Sequence, residues 1–130
     1  RLDIAVSEET PTTGAAVYWF EAPEDSRSGG WTRHHVTTQN TTNNLYVADM
    51  DGDGDLDLVA AEHRGTKKVQ IWENVDNGRR WMEHVVDAGK ESHLGAYLDD
   101  MDGDGDLDIL SIAWDAFGDL HLWRNDARKR

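Results

Sequence analysis

The sequence predicts an all-β chain of four-stranded antiparallel blades. Three observations carry that prediction: an internal repeat with a period near fifty residues, apolar runs too short for helices, and tight-turn residues between those runs. Asp49-Met50-Asp51-Gly52-Asp53-Gly54-Asp55-Leu56-Asp57 returns unchanged as Asp100-Met101-Asp102-Gly103-Asp104-Gly105-Asp106-Leu107-Asp108, an offset of 51 residues. Tyr46 returns as Tyr97, and Val69-Gln70-Ile71-Trp72-Glu73-Asn74 as Leu120-His121-Leu122-Trp123-Arg124-Asn125. Trp81 to Val86 repeats the earlier segment Trp31 to Val36.

With the four strands of a blade lettered A to D, each element takes its place in order. Leu2-Asp3-Ile4 matches Leu56-Asp57-Leu58 and Leu107-Asp108-Ile109, so the chain opens on a B strand. The first C strand carries Phe20 where later copies have Trp72 and Trp123, and the first D strand is Trp31 to Val36. Asn44 to Ala48 is the next A strand, Leu56 to Ala61 the B strand, Val69 to Glu73 the C strand and Trp81 to Val86 the D strand. Asp76-Asn77-Gly78 is a tight hairpin signal between the last two, where the first copy has the longer stretch Ala22 to Gly30. Gly95 to Asp99, Leu107 to Ala113 and Leu120 to Arg124 give a third A, B and C. No helical periodicity with caps competes with this reading.

Ten strands in the order B-C-D, A-B-C-D, A-B-C make about two and a half blades: 1–38 a partial blade, 39–87 a complete one and 88–130 a partial one. Four antiparallel strands repeated in this way are the pattern of a β-propeller, in which blades bury their faces against one another around an axis. The chain is therefore expected to be a segment of a larger propeller, or to pair its raw edges with another copy of itself.

Charge narrows the function. Thirteen Lys and Arg stand against 26 Asp and Glu, a formal charge of −13, which argues against nucleic acid and anionic membranes as partners. No apolar run reaches the ~20 residues of a membrane span, and the absence of cysteine removes thiolate chemistry. Ten of the 26 acids lie in the two nine-residue repeats. Carboxylates so crowded repel one another unless a cation compensates. The spacing D-x-D-x-D-G-x-x-D sets side-chain oxygens at loop positions 1, 3, 5 and 9 and a main-chain carbonyl at 7. Hard oxygen donors at that density suit Ca²⁺ better than Zn²⁺ or Cu²⁺. The expected ligands are Asp49, Asp51, Asp53 and Asp57 with the carbonyl of Asp55, and Asp100, Asp102, Asp104 and Asp108 with the carbonyl of Asp106. Asp3 matches the last position of a third loop whose earlier acids are absent, so two sites are expected. Position 12 is Ala60 or Ser111 instead of Glu, which disfavours an EF-hand.

These acidic nonapeptides, each followed by an apolar strand and a strand such as Val69-Gln70-Ile71-Trp72-Glu73-Asn74, resemble the FG-GAP/VCBS repeats of integrin-α-like β-propellers. The resemblance covers nearly the whole chain. It implies an extracellular, cell-surface or periplasmic propeller with calcium in the loops that join strands A and B. Such repeats serve adhesion proteins, lectins and secreted polysaccharide-degrading enzymes, so the resemblance leaves the ligand open.

A ligand is expected at the other end of the blades, on the B–C connections (8–15, 62–68, 113–119) and the D–A connections (37–43, 87–94). Trp31 and Trp81, Phe20, Trp72 and Trp123, and His34 and His84 keep the repeat and are assigned to packing. His63, Arg64, His93, Trp114, Asp115 and Phe117 break it and form the candidate ligand set, with Trp114 and Asp115 suited to stack on a sugar ring and accept its hydroxyls. The reading is a non-catalytic calcium-stabilised module that binds a glycan or a protein. The alternative is part of a polysaccharide lyase, with His63 and His93 moving a proton and Arg64 stabilising charge.

Overall fold

The computed structural model describes residues 2–9, 13–89, 95–112 and 118–127, and within them the chain is all-β, with ten strands and no helix. The strands are β1 (Ile4–Ser7), β2 (Thr13–Glu21), β3 (Thr32–Asn40), β4 (Thr42–Ala48), β5 (Asp57–Glu62), β6 (Lys68–Asn74), β7 (Trp81–Ala88), β8 (Tyr97–Asp99), β9 (Asp108–Ile112) and β10 (Leu120–Trp123). They form three antiparallel sheets, β1-β2-β3, β4-β5-β6-β7 and β8-β9-β10, the arrangement of one whole and two partial propeller blades.

Local chemistry sets the register. Asn77 and Gly78 both take positive φ, 46° and 78°, and Arg79 N–H closes the turn on the Asp76 carbonyl at 2.9 Å. Positive φ at both central residues is the primed turn that matches strand twist, which the Asn-Gly pair favours. A side chain at Gly78 would also fail on space, since a Cβ there would lie 2.6 Å from the Trp19 ring. The Trp19 indole N–H donates to the Gly78 carbonyl at 2.9 Å, so this hairpin of the second sheet is pinned to the first.

One expected connection is not a loop. β3 continues to Asn40 and β4 begins at Thr42, leaving Thr41 alone between them where a connection over 37–43 was expected. Thr37, Thr38, Thr41 and Thr42 are β-branched and suit extended backbone. β2, which starts at Thr13 inside the expected 8–15 connection, supplies the partners, with Ala16 opposite Thr38 and Val17 opposite Thr37. Strand ends shift elsewhere by one or two residues, and Leu56 lies outside β5, 58% exposed.

Burial follows from position in the stack. Every residue of β5 is buried, because the second sheet is central in the chain and both its faces are covered. Ala48, Met50, Val59, Ala61, Val69, Ala96 and Ile109 form the core between the second and third sheets, with Leu107 and Trp123 packed against it. Each large aliphatic side chain buried there contributes roughly 1.5–3 kcal/mol. The outer strands lack such cover: Ile4 of β1 is 46% exposed and Leu120 of β10 is 67% exposed.

Candidate metal centres and the opposite loops

The two acidic nonapeptides lie between β4 and β5 and between β8 and β9. Both fold by the same side-chain to main-chain bonds. Asp49 Oδ1 accepts Gly52 N–H at 2.8 Å, Asp51 Oδ1 accepts Asp53 N–H at 3.0 Å and Asp53 Oδ1 accepts Asp55 N–H at 2.8 Å. In the second loop Asp100 Oδ1 accepts Gly103 N–H at 2.8 Å and Asp104 Oδ1 accepts Asp106 N–H at 2.9 Å. Gly54 and Gly105 turn the chain at φ 97° and 96°, a conformation closed to most side chains.

This curvature brings acids together. Carboxylate oxygens of Asp49, Asp51 and Asp57 all lie within 4.8 Å of one another, and so do those of Asp100, Asp102 and Asp108. Oxygens bound to one Ca²⁺ at 2.3–2.6 Å are separated by at most about 5 Å, so either set can reach a common ion. An all-carboxylate donor set also fits a hard cation and lacks the imidazole or thiolate that zinc favours. Of the expected ligands, positions 1, 3 and 9 converge in each loop. The position-5 acids Asp53 and Asp104 lie outside these two groups and, like their neighbours, accept main-chain N–H groups.

The last acid of each loop does a second job that the spacing did not reveal. Asp57 is 1% exposed; its Oδ2 accepts Met50 N–H at 2.9 Å and its Oδ1 accepts Asn74 N–H, at the end of the C strand, at 2.8 Å. Asp108 repeats both bonds, to Met101 N–H at 2.9 Å and Asn125 N–H at 2.8 Å. Asp3, at the matching place in the first repeat, makes the strand-end bond to Ala22 N–H at 2.8 Å. Burial raises the pKa of Asp57; the Asn74 and Met50 N–H groups work against that rise, and the charges of Asp51 and Asp53 add to it. An ion among these carboxylates would favour their charged forms.

At the opposite end the hub is Glu62, 1% exposed at the end of β5. Its carboxylate accepts Asn40 N–H at 3.2 Å, Lys68 N–H at 3.1 Å, the Thr66 hydroxyl at 2.7 Å and the Asn40 side-chain amide. Glu8, at the matching place after the first B strand, makes the equivalent bond to Ala16 N–H at 3.1 Å. A cleft of about 370 Å³ lies beside Glu62, between β3 and the second sheet, lined also by Thr37, Gln39, Lys68, Trp72 and Glu83. Many of its polar groups are already engaged: Gln39 accepts from Gln70 and, at 3.0 Å, from the Trp72 indole, and Lys68 pairs with Glu83 at 2.6 Å.

Of the candidate ligand residues, His63 and Arg64 follow Glu62 in the β5–β6 connection, at the end away from the acidic loops. His63 N–H donates to the Thr41 carbonyl at 3.2 Å, and its buried Nδ1 has no hydrogen-bond partner among the described residues. His93, Trp114, Asp115 and Phe117 lie outside the described residues. The repeat-matched histidines differ in their surroundings, His34 being half-buried and His84 exposed. His34 stacks on Trp19 at 4.1 Å and bonds Glu21 at 3.2 Å, and His84 bonds Glu73 at 2.5 Å.

The model of the FG-GAP-like repeat matches this chain twice, over residues 1–60 and 49–111. Neither the curated proteins nor the solved structures contain a match.

Proposed function

Since the chain belongs to the FG-GAP-like repeat family, we propose that it is a calcium-stabilised propeller repeat module, a non-catalytic scaffold that presents the loops opposite its metal ends to a glycan or protein ligand outside the cell. The observation that carries the metal part is the convergence of three carboxylates in each of two identical loops. Asp49, Asp51 and Asp57 would hold one ion, and Asp100, Asp102 and Asp108 the other. The ion would neutralise the loop and tie strand A to strand B, a stabilising role. In each loop the last acid is buried and anchored both to its own loop and to the end of the C strand, which suits a structural ion better than an open catalytic one.

Metal that binds the folded state alone adds RT ln(1 + [L]/Kd), about 2.7 kcal/mol at a hundredfold excess over Kd. Chelation is expected to lower the melting temperature, and calcium to restore it where magnesium does not. A melt indifferent to chelator and calcium would sink the metal assignment. For the ligand, a glycan array read with Trp114→Ala and His63→Ala is the test, with loss of specific binding expected. Cleavage of a uronic-acid polymer, abolished by His63→Ala, would replace the binding role with the lyase.

A further inference from the structure

The two acidic loops are in different blades, yet a short run of hydrogen bonds joins them. Asp57 Oδ2 accepts Met50 N–H at 2.9 Å. The carbonyl of that same Met50 accepts the side-chain amide of Asn125 at 2.8 Å, across 75 residues of chain. Asn125 in turn donates its main-chain N–H to Asp108 Oδ1 at 2.8 Å. The last acid of one loop is thus linked to the last acid of the other through one residue of the first loop and one side chain of the next blade. Met50 is 3% exposed and packs in the core with Ile109, so its end of this connection is shielded from competing water, while Asn125 is half-buried.

We propose that Asn125 is a positioning residue that couples the two loops, so that an ion in the 100–108 loop raises the affinity of the 49–57 loop, and the reverse. The inference rests on the calcium reading above. An ion that fixes Asp108 holds the Asn125 N–H, which keeps the Asn125 amide aimed at the Met50 carbonyl. A fixed Met50 presents its own N–H to Asp57, and Asp57 is then held where Asp49 and Asp51 converge. Ordering that the first ion imposes need not be imposed again by the second, which is positive coupling, and linkage requires it to be reciprocal. Repulsion between two ions would act with the opposite sign and without Asn125.

The whole chain is titrated with calcium while the amide resonances of Gly52 and Gly54 report one loop and those of Gly103 and Gly105 the other. Asp100→Ala, which disables the second loop, is expected to weaken calcium at the first by about five-fold, a modest value for coupled sites. In an Asn125→Ala chain the same Asp100→Ala change is expected to leave the first loop's midpoint where Asn125→Ala alone put it. Asn125→Asp is the second variant; it keeps the main-chain bond to Asp108 and removes the donor to Met50, so loss of coupling there cannot be put down to unfolding of the third sheet. If Asp100→Ala leaves the first loop's midpoint unchanged in the native chain, or weakens it equally with and without Asn125, the coupling is overturned while both loops still bind. If neither loop responds to calcium, the metal reading falls and the coupling with it.

Discussion

Two stretches of nine identical residues, 49–57 and 100–108, meet different neighbours in this molecule. Their internal bonds are nearly the same, from the Asp at position 1 that caps the turn to the last Asp that ties the loop to the end of its C strand. What surrounds them is not. Met50 is 3% exposed under the third sheet, while Met101, at the same loop position, is 49% exposed. The residue before the strand-end Asn is Glu73 beside the first loop and Arg124 beside the second, and Arg124 reaches Asp102 at 2.9 Å. Local sequence therefore decides the shape of the loop, the adjacent blade decides its burial, and the C strand of its own blade decides its electrostatic company.

The largest expected effect falls on the acid that both loops bury. Asp57→Ala strands the N–H groups of Met50 and Asn74, each a buried donor whose loss of partner costs ~1–3 kcal/mol. A loss of about 3 kcal/mol in denaturant unfolding is expected even with chelator present, so the clamp is separable from the ion. Asp108→Ala is expected to cost less, because Met101 N–H lies beside solvent. Equal losses would mean that the third sheet contributes nothing to the difference between the loops.

Met50→Ala against Met101→Ala isolates packing. Truncating a buried Met costs ~2–5 kcal/mol, whereas the half-exposed Met101 is expected to tolerate the change within about 0.5 kcal/mol. Similar melting temperatures for the two variants would argue that the seam between the second and third sheets is open in solution.

The pH dependence carries a sign. Asp57 has its folded pKa raised above its unfolded value, so its contribution to stability is present below the unfolded pKa and is lost as pH rises through the folded one. Chelated protein is thus expected to lose stability over that window. The gain in melting temperature given by calcium should grow across it, since the ion favours the carboxylate. Melts of native protein and Asp57→Asn, from about pH 4 to about pH 7, with and without calcium, check this; a slope unchanged by the substitution would assign it to other groups.

The sequence was readable wherever one residue type served one purpose. Asn77 and Gly78 marked the hairpin, the alternating Asp marked the loops, and the 51-residue offset marked which strands share a sheet position. It was silent where one residue serves two. The spacing marks Asp57 and Asp108 as ligands, but a spacing cannot tell that the same carboxylate closes the C strand. The matched Asn74 and Asn125, each seventeen residues further on, were the available signal. Glu62 falls in the expected 62–68 connection, and its burial follows from four donors brought by Asn40, Thr66 and Lys68. Its counterpart Glu8 at the first repeat could have shown it. The expected 37–43 connection is strand instead, because its β-branched residues suit extended backbone and β2 and β5 supply partners for Thr37 to Asn40 and for Thr42.

The smallest effect sharpens the comparison furthest, because it exchanges a charged difference between the two loops' surroundings. Arg124 is 60% exposed and shared between Asp102 and Asp126, at 2.9 and 2.5 Å, so its hold on Asp102 is screened by solvent and weak. It is nonetheless a resident cation beside an acid that converges with Asp100 and Asp108, and an incoming ion must displace it or share the carboxylate. The first loop has no such competitor at the matched place, where Glu73 instead holds His84. Arg124→Glu gives the second loop the residue of the first, and its calcium affinity is expected to rise by roughly two- to five-fold, with the larger gain at low salt, where charge is less screened. The reciprocal Glu73→Arg is expected to weaken the first loop by a smaller factor, since the Asn125 link and the buried Met50 hold that loop in place. Glycine amide titrations at two ionic strengths distinguish the outcomes. An Arg124→Glu chain whose second loop binds as before, at both salts, would show that Arg124 does not set the difference between the loops.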